Sequence, residues 1–402
     1  MQDRVRLFPN ARIPWGIGGS SYFPAWHASP FAETSIGQFA AESACLIMGK
    51  GGVSVQDIDY LVSGATIPWP NEFWGAPYLA ACMERRVPGV HVSQACATGL
   101  KAVLTAAAQI ESGAHHMACV LTFDRTSNSP AVVYPAQPTY RRTEVVSNVW
   151  DHFGCDPSTK GAMITTAGNA ARKHGITRQE VDAIALLRSE QYAQAIGGHM
   201  LNKVLFPLSV LDHRGQLVGT VERDEGVRPL TAEGLRALSE IDTCVTSGGQ
   251  THPSDGMATL LVTSVERARV LSPDVDITFV AATETRSLPS LMPEAPALAA
   301  QELLQRTGLT IKDMSVVKTH NPFAVNDAIF SRLLKIDLER MNRTGCPLIY
   351  GHPQGPTLTR VLLEALAESV SLGGGYVLVC GCAAGDVGIA AILNVSDGKG
   401  GA

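Results

Sequence analysis

The sequence predicts an α/β protein in which one helix–strand–helix–strand unit occurs twice and the two copies pack together. Three pairs of segments, recurring in one order at a nearly constant spacing, predict it. Gly52 to Val62 reads GVSVQDIDYLV and Gly308 to Lys318 reads GLTIKDMSVVK, so Gly, an aliphatic residue, Asp and a following apolar residue recur in register. Leu100, Val103, Leu104 and Ala107 are matched by Leu358, Val361, Leu362 and Ala365, each set following the i, i+3, i+4, i+7 spacing of a helix with one apolar face. Met257 to Thr263 pairs with Gly388 to Leu393 as a final strand.

The elements follow in order. Each GVSVQDIDYLV-like block comes after an Ala-rich helical stretch, Phe39 to Met48 and Ala297 to Leu304, and leads into a strand. Each one-faced helix then runs into a short apolar strand, Met117 to Leu121 and Tyr376 to Cys380. Strands apolar on both sides belong to a sheet covered on both faces. Between the last two strands the copies diverge. In the second copy Cys382 to Gly388 is a turn, whereas in the first the same interval runs from Asp124 to Ser254. That insert is expected to hold a helix over Thr165 to Lys173 and another, capped by Thr177, from Arg178 towards Ile196. It also carries the polar segment VERDEGVRPLTAEGL from Val221 to Leu235. An insert between core strands sits over one end of the sheets, where α/β proteins bind ligands. The expected division is an N-terminal half over 1–123 with 253–270, an inserted loop domain over 124–252, and a C-terminal half over 271–402.

Composition narrows the function. With 45% apolar and 17% charged residues, the 402-residue chain has the make-up of a globular protein and not of a disordered or collagen-like one. A net charge of −5 argues against a general nucleic-acid binder, which needs a basic face. The start, MQDRVRLFPNARIPWG, has no signal-like apolar run, and no stretch reaches the roughly 18 apolar residues of a membrane span. Nine scattered cysteines fit reduced thiols. A soluble, cytoplasmic protein is expected, with no membrane contact.

Chemistry-bearing residues gather at element ends. Cys96, in VSQACATGLKAV, lies where the first repeated helix begins, and His352, in IYGHPQGPTLTRV, lies in the turn before the second. A helix N-terminus favours a thiolate, and an imidazole facing it can take the thiol proton. His320 ends the strand Val316 to Thr319, and Cys382 ends Val377 to Cys380. A lone buried Cys is commonly structural; a Cys and a His on matched turns are harder to explain that way. Cys380-Gly381-Cys382 has no second Cys pair to complete a zinc site, so no metal is expected. The run Gly373 to Gly388 lacks a G-x-G-x-x-G before a helix, which argues against a dinucleotide.

These motifs resemble the thiolases over essentially the whole chain. QACATGLKAV around Cys96 is similar to the nucleophile segment, Gly351-His352-Pro353 to the Gly-His-Pro motif, and Cys382 to Gly388 to the C-terminal C-x-G-G-G-x-G element. His320-Asn321-Pro322-Phe323 aligns with Asn-Glu-Ala-Phe, so His stands where many members carry Asn, as in branches resembling sterol-carrier-type thiolases. The resemblance implies duplicated five-stranded mixed sheets in α-β-α-β-α layering. It implies acyl exchange with coenzyme A through an acyl-cysteine: Cys96 as nucleophile, His352 as its base, Cys382 moving the α-proton of acetyl-CoA, and His352 with a water held by His320 as donors to the enolate. The backbone N–H groups of Cys96 and Ala384 would make an oxyanion hole. Met163, Arg228, Thr251 and Phe323 fall at cofactor-contacting positions, with acyl-CoA as substrate, no permanently bound cofactor, and a homodimer or homotetramer as the assembly. Two other readings stay open: a decarboxylating ketoacyl synthase, which needs no second cysteine, and a catalytically degenerate acyl-CoA-binding subunit.

Overall fold

The computed structural model describes residues 7–134, 136, 145–212 and 214–398. Its two halves repeat one strand pattern. In the first, Gly89–Val92, Tyr60–Gly64, Met117–Arg125, Asp255–Ser264 and Phe8–Arg12 lie side by side in that order. Tyr60–Gly64 runs parallel to both neighbours, and Met117–Arg125 is antiparallel to Asp255–Ser264. In the second, Met314–Thr319 is parallel to Gly375–Ala383, which is antiparallel to Val387–Asp397, itself antiparallel to Val275–Arg286. Phe8–Arg12 bonds to both Asp255–Ser264 and Val275–Arg286. It therefore counts as the fifth strand of either half and fuses the two sheets into one of eleven strands, a join the repeats do not announce.

The apolar strands are apolar because both faces are covered. Ala118 and Val120 face an inner cluster with Leu100, Val103 and Ala107, while Met117, Cys119, Leu121 and Phe123 face an outer one with the helix Ile36–Lys50. The second half repeats this alternation, with Val377 and Val379 inward and Leu378 and Cys380 outward against Ala295–Thr307 and Ala324–Leu334. The helices Thr98–Glu111 and Thr357–Ser371 form the middle layer, shared by both sheets. Gly99 permits their close approach: a Cβ there would lie 2.6 Å from the Thr359 backbone nitrogen. The layering is α-β-α-β-α, as expected. Among the described residues, no helix is long and apolar enough to cross a membrane.

The helix Thr357–Ser371 is buried on nearly every side, including Arg360, Glu364 and Glu368. Ionic partners make this possible, because a buried charge without one is costly. The Arg360 guanidinium meets both oxygens of Asp224 at 2.7 and 2.8 Å and Glu364 at 2.8 Å, and it stacks 3.7 Å from the Tyr350 ring centroid. Asp224 comes from the long segment between Arg125 and Asp255, so this pairing clamps that segment onto the middle layer. The same segment carries the helices Met163–His174 and Arg178–Gly197. The first starts two residues earlier than expected and ends at Gly175, whose φ of 60° terminates it. Thr177 and Glu180 form a capping box on the second, whose Arg188 reaches Asp327 at 2.7 Å on Ala324–Leu334.

Candidate active site

Two helix starts and two strand ends converge at one end of the sheets. Cys96 lies just before Thr98–Glu111, and His352 just before Thr357–Ser371. His320 follows Met314–Thr319 and continues its ladder, its N–H donating to the Cys380 carbonyl at 2.8 Å. Cys382 is the penultimate residue of Gly375–Ala383. Gly351 has a φ of 100°, and a Cβ there would lie 2.0 Å from Ser254 Oγ, so only glycine delivers His352 to this point.

The four side chains form a connected line. His352 Nε2 is 3.1 Å from Cys96 Sγ and 3.1 Å from His320 Nε2, and His320 Nδ1 is 3.7 Å from Cys382 Sγ. His352 Nδ1 meets Thr357 Oγ1 at 2.7 Å. A consistent proton arrangement has Cys382 S–H donating to His320 Nδ1, His320 Nε2–H to His352 Nε2, and His352 Nδ1–H to Thr357 Oγ1. The Cys96 thiol donates to Gln354 Oε1 at 3.0 Å and has His352 Nε2 as its alternative acceptor. Asn326 Nδ2 steadies Cys382 Sγ at 3.4 Å.

Burial sets the charge states. It pushes the Cys96 thiol up to about 12, against the pull of the Ala384 and Cys96 backbone N–H groups. It drives Cys382 well above its ordinary value, with the neighbouring Cys96 adding to the effect. Burial also takes His320 down to about 3, and His352 well below the usual imidazole value with His320 reinforcing the shift. The resting pair is therefore a neutral thiol and a neutral imidazole. The helix N-terminus does not by itself yield the thiolate that its position suggests.

The line opens into a cavity of about 780 Å³, whose walls include Ile67, Val149, Phe153, Met163, Ile241, Thr251, Met292 and Phe323 beside Cys96 and His352. Met163, Thr251 and Phe323, expected at cofactor-contacting positions, are among the residues that line it. Arg228 does not line this cavity and is exposed, an outcome in keeping with its hydrophilic surroundings in Val221 to Leu235. Ala384 lines it and contributes its N–H towards Cys96. The left-handed conformations of its turn fall on Gly385 and Asp386, so alanine is accommodated at 384.

Sequence reasoning missed several residues. When the repeated helices are superposed, the counterpart of Cys96 is Gln354, and His352 falls opposite Gln94, two residues before the true twin position. Asp124 is buried and accepts from the Thr66, Ile67 and Gly355 N–H groups and the Thr66 hydroxyl at 2.7 to 3.1 Å, tying the loop of His352 to the first sheet. Asn321 turns away from the line and donates to Asp327 at 2.8 Å. The exact repeat register would have revealed Gln354; nothing local marks Asp124 or Asn326.

Comparison with known proteins follows this geometry. The family model "Thiolase, N-terminal domain" matches residues 27–266 and "Thiolase, C-terminal domain" matches 275–395. The chain is 26% identical to human mitochondrial 3-ketoacyl-CoA thiolase, covering 95% of this chain and 96% of that one. It is 28% identical to a probable acetyl-CoA acyltransferase of Staphylococcus aureus, over 97% and 99%. It is also 28% identical to β-ketoadipyl-CoA thiolase of Acinetobacter baylyi, over 78% and 81%. Among solved structures, human mitochondrial 3-ketoacyl-CoA thiolase superposes with a TM-score of 0.87 at 22% identity, covering 96% and 99%. The acetyl-CoA acetyltransferase of Bacillus anthracis gives 0.86 at 23%, over the same shares. Both halves of the family are matched in order along the chain, and the protein belongs to the thiolase family.

Proposed function

We propose that this protein is an acyl-CoA:acetyl-CoA C-acyltransferase that cleaves or forms 3-ketoacyl-CoA through an acyl-cysteine on Cys96. The observation that carries this reading is the thiol–imidazole–imidazole–thiol line, opening at its Cys96 end into an apolar cavity. In the cleaving direction His352 Nε2 takes the Cys96 proton and the sulfur adds to the 3-keto carbon. The bond between Cα and that carbon breaks, and its electron pair leaves as the enolate of acetyl-CoA, held by His320 Nε2–H and protonated His352. Cys382 S–H delivers its proton to Cα. Its thiolate is reset by the proton of the incoming coenzyme A thiol, and His352 returns its own proton to the departing Cys96 sulfur. Free coenzyme A then attacks the thioester, with the Cys96 and Ala384 N–H groups receiving the oxyanion.

The cavity walls favour an uncharged acyl chain, because no Lys or Arg stands among the described residues that line them and Asp156 does. A carboxylate at the chain end would be buried without a cation. Met163, Thr251 and Phe323 are assigned to the coenzyme A arm, and Arg228 to the solvent-exposed end of the cofactor. The second cysteine opposes a decarboxylating synthase. A homodimer is supported by the sheet edge, because Gly89–Val92 is a terminal strand with a neighbouring strand on one side only among the described residues. The test is a panel of 3-ketoacyl-CoA thioesters with free coenzyme A, followed by loss of ketoacyl absorbance. Turnover of uncharged chains at least about a hundredfold above ω-carboxylated ones of equal length is expected. Absence of turnover across the panel would refute the assignment.

A further inference from the structure

We propose that Cys96 Sγ, His352 Nε2 and His320 Nε2 form a three-ligand seat for Zn²⁺, which holds the protein in a reversible inactive state. The three donor atoms all lie within 4.8 Å of one another, and the two edges that meet at His352 are both 3.1 Å. Around a tetrahedral zinc, with Zn–N of about 2.0–2.1 Å and Zn–S of about 2.3 Å, neighbouring ligand atoms stand about 3.3–3.6 Å apart. Those two edges need widen by only a few tenths of an ångström, and the third, from Cys96 Sγ to His320 Nε2 and within 4.8 Å, must settle into the same range.

The outward nitrogens are already engaged, His352 Nδ1 with Thr357 Oγ1 at 2.7 Å and His320 Nδ1 with Cys382 Sγ at 3.7 Å. Metal-binding histidines characteristically hold their second nitrogen in this way, which fixes the ring and leaves the other nitrogen for the ion. The cavity reaches Cys96 and His352, so water supplies the fourth position. On binding, the Cys96 thiol releases its proton to solvent as the S–Zn bond forms, and the proton on His320 Nε2 shifts to Nδ1. One proton is released in all. An amide at position 320 would remove one of the two nitrogen ligands, so the seat depends on this chain's His in HNPF. The ion occupies the nucleophile and has no part in acyl transfer. The ligand set therefore stands whether or not the acyltransferase reading holds.

The test uses chelator-treated full-length protein with Co²⁺ as the spectroscopic probe and Zn²⁺ as competitor. One equivalent of Co²⁺ should give a thiolate-to-cobalt charge-transfer band with strong tetrahedral visible bands, and Zn²⁺ should erase them. On the unaltered protein, Zn²⁺ should slow iodoacetamide labelling of the Cys96 peptide at least about tenfold, and EDTA should restore it. His320→Asn should weaken Co²⁺ binding at least about tenfold, the scale on which even outer partners of metal sites act. Cys96 labelling unchanged in saturating Zn²⁺ overturns the proposal. So does a charge-transfer band that survives Cys96→Ser, or cobalt affinity unaltered by His320→Asn.

Discussion

Replacing Cys382 with alanine separates the two sulfurs. The side chain is fully buried and touches Asn326 Nδ2 at 3.4 Å and His320 Nδ1 at 3.7 Å. Truncation removes one sulfur atom and two weak hydrogen bonds, a stability loss of about 1–2 kcal/mol that leaves the fold intact. The groups that serve Cys96 are different ones: Gln354, His352 and the Ala384 N–H. Acylation of Cys96 should therefore survive, while delivery of the α-proton fails. General acid/base groups contribute about 10²–10⁴-fold, or about 3–5 kcal/mol of barrier, and turnover should fall by that range. Mass spectrometry of the Cys96 peptide after mixing with an acyl-CoA reports acylation. Steady-state condensation with acetyl-CoA reports the second step. A Cys382→Ala protein that acylates and condenses at near-normal rates would refute the two-thiol mechanism.

Other outcomes follow from the same geometry. Cys96→Ala should abolish both adduct and turnover; an adduct appearing on Cys382 instead would reassign the nucleophile. Because burial holds the Cys96 thiol near 12 and His352 neutral, the thiolate fraction grows about tenfold per pH unit. Iodoacetamide labelling of Cys96 should thus rise with unit slope from pH 6 to 10, and a plateau reached below pH 8 would show a resting ion pair. Asp224→Ala leaves the buried Arg360 with Glu364 as its remaining carboxylate partner. It should cost about 3–5 kcal/mol in denaturant unfolding, since the Phe23 N–H and the Tyr192 hydroxyl lose their acceptor as well. Sedimentation at micromolar concentration should show a dimer, and a monomer would contradict the reading of the Gly89–Val92 edge.

The legible part of this molecule is what repeats or what is chemically unusual. Duplicated helix faces and strands that are apolar on both sides point to a repeated unit with its sheets covered on both faces, and the thiolase resemblance supplies the α-β-α-β-α layering. The four groups of the line were legible because Cys and His are few and stood at element ends. What stayed hidden depends on contacts between distant segments. Asp124 works by accepting from residues on both sides of the domain junction, Asn326 by reaching Cys382 from another helix, and Phe8–Arg12 by bonding two sheets at once. The balance at the Cys96 thiol is hidden for the same reason, since the backbone N–H groups of Cys96 and Ala384 favour the thiolate while burial by the surrounding protein opposes it more strongly.

Cys96 and Gln354 have a geometric meaning beyond their hydrogen bond. They occupy equivalent positions in the duplicated sequence, and they touch at 3.0 Å. A residue in contact with its own duplicate straddles the internal pseudo-symmetry axis, much as a zipper's two sides meet at the slider. There is room on such an axis for one reaction centre per chain, never a mirrored pair. A one-unit ancestor assembling with itself would have brought two identical groups face to face at this point, two thiols or two amides. Within one chain the two positions are free to differ, and here one carries a thiol and the other an amide oxygen that accepts its hydrogen. A single chain that encodes both units thus permits an asymmetry that two identical units meeting on the axis could not have.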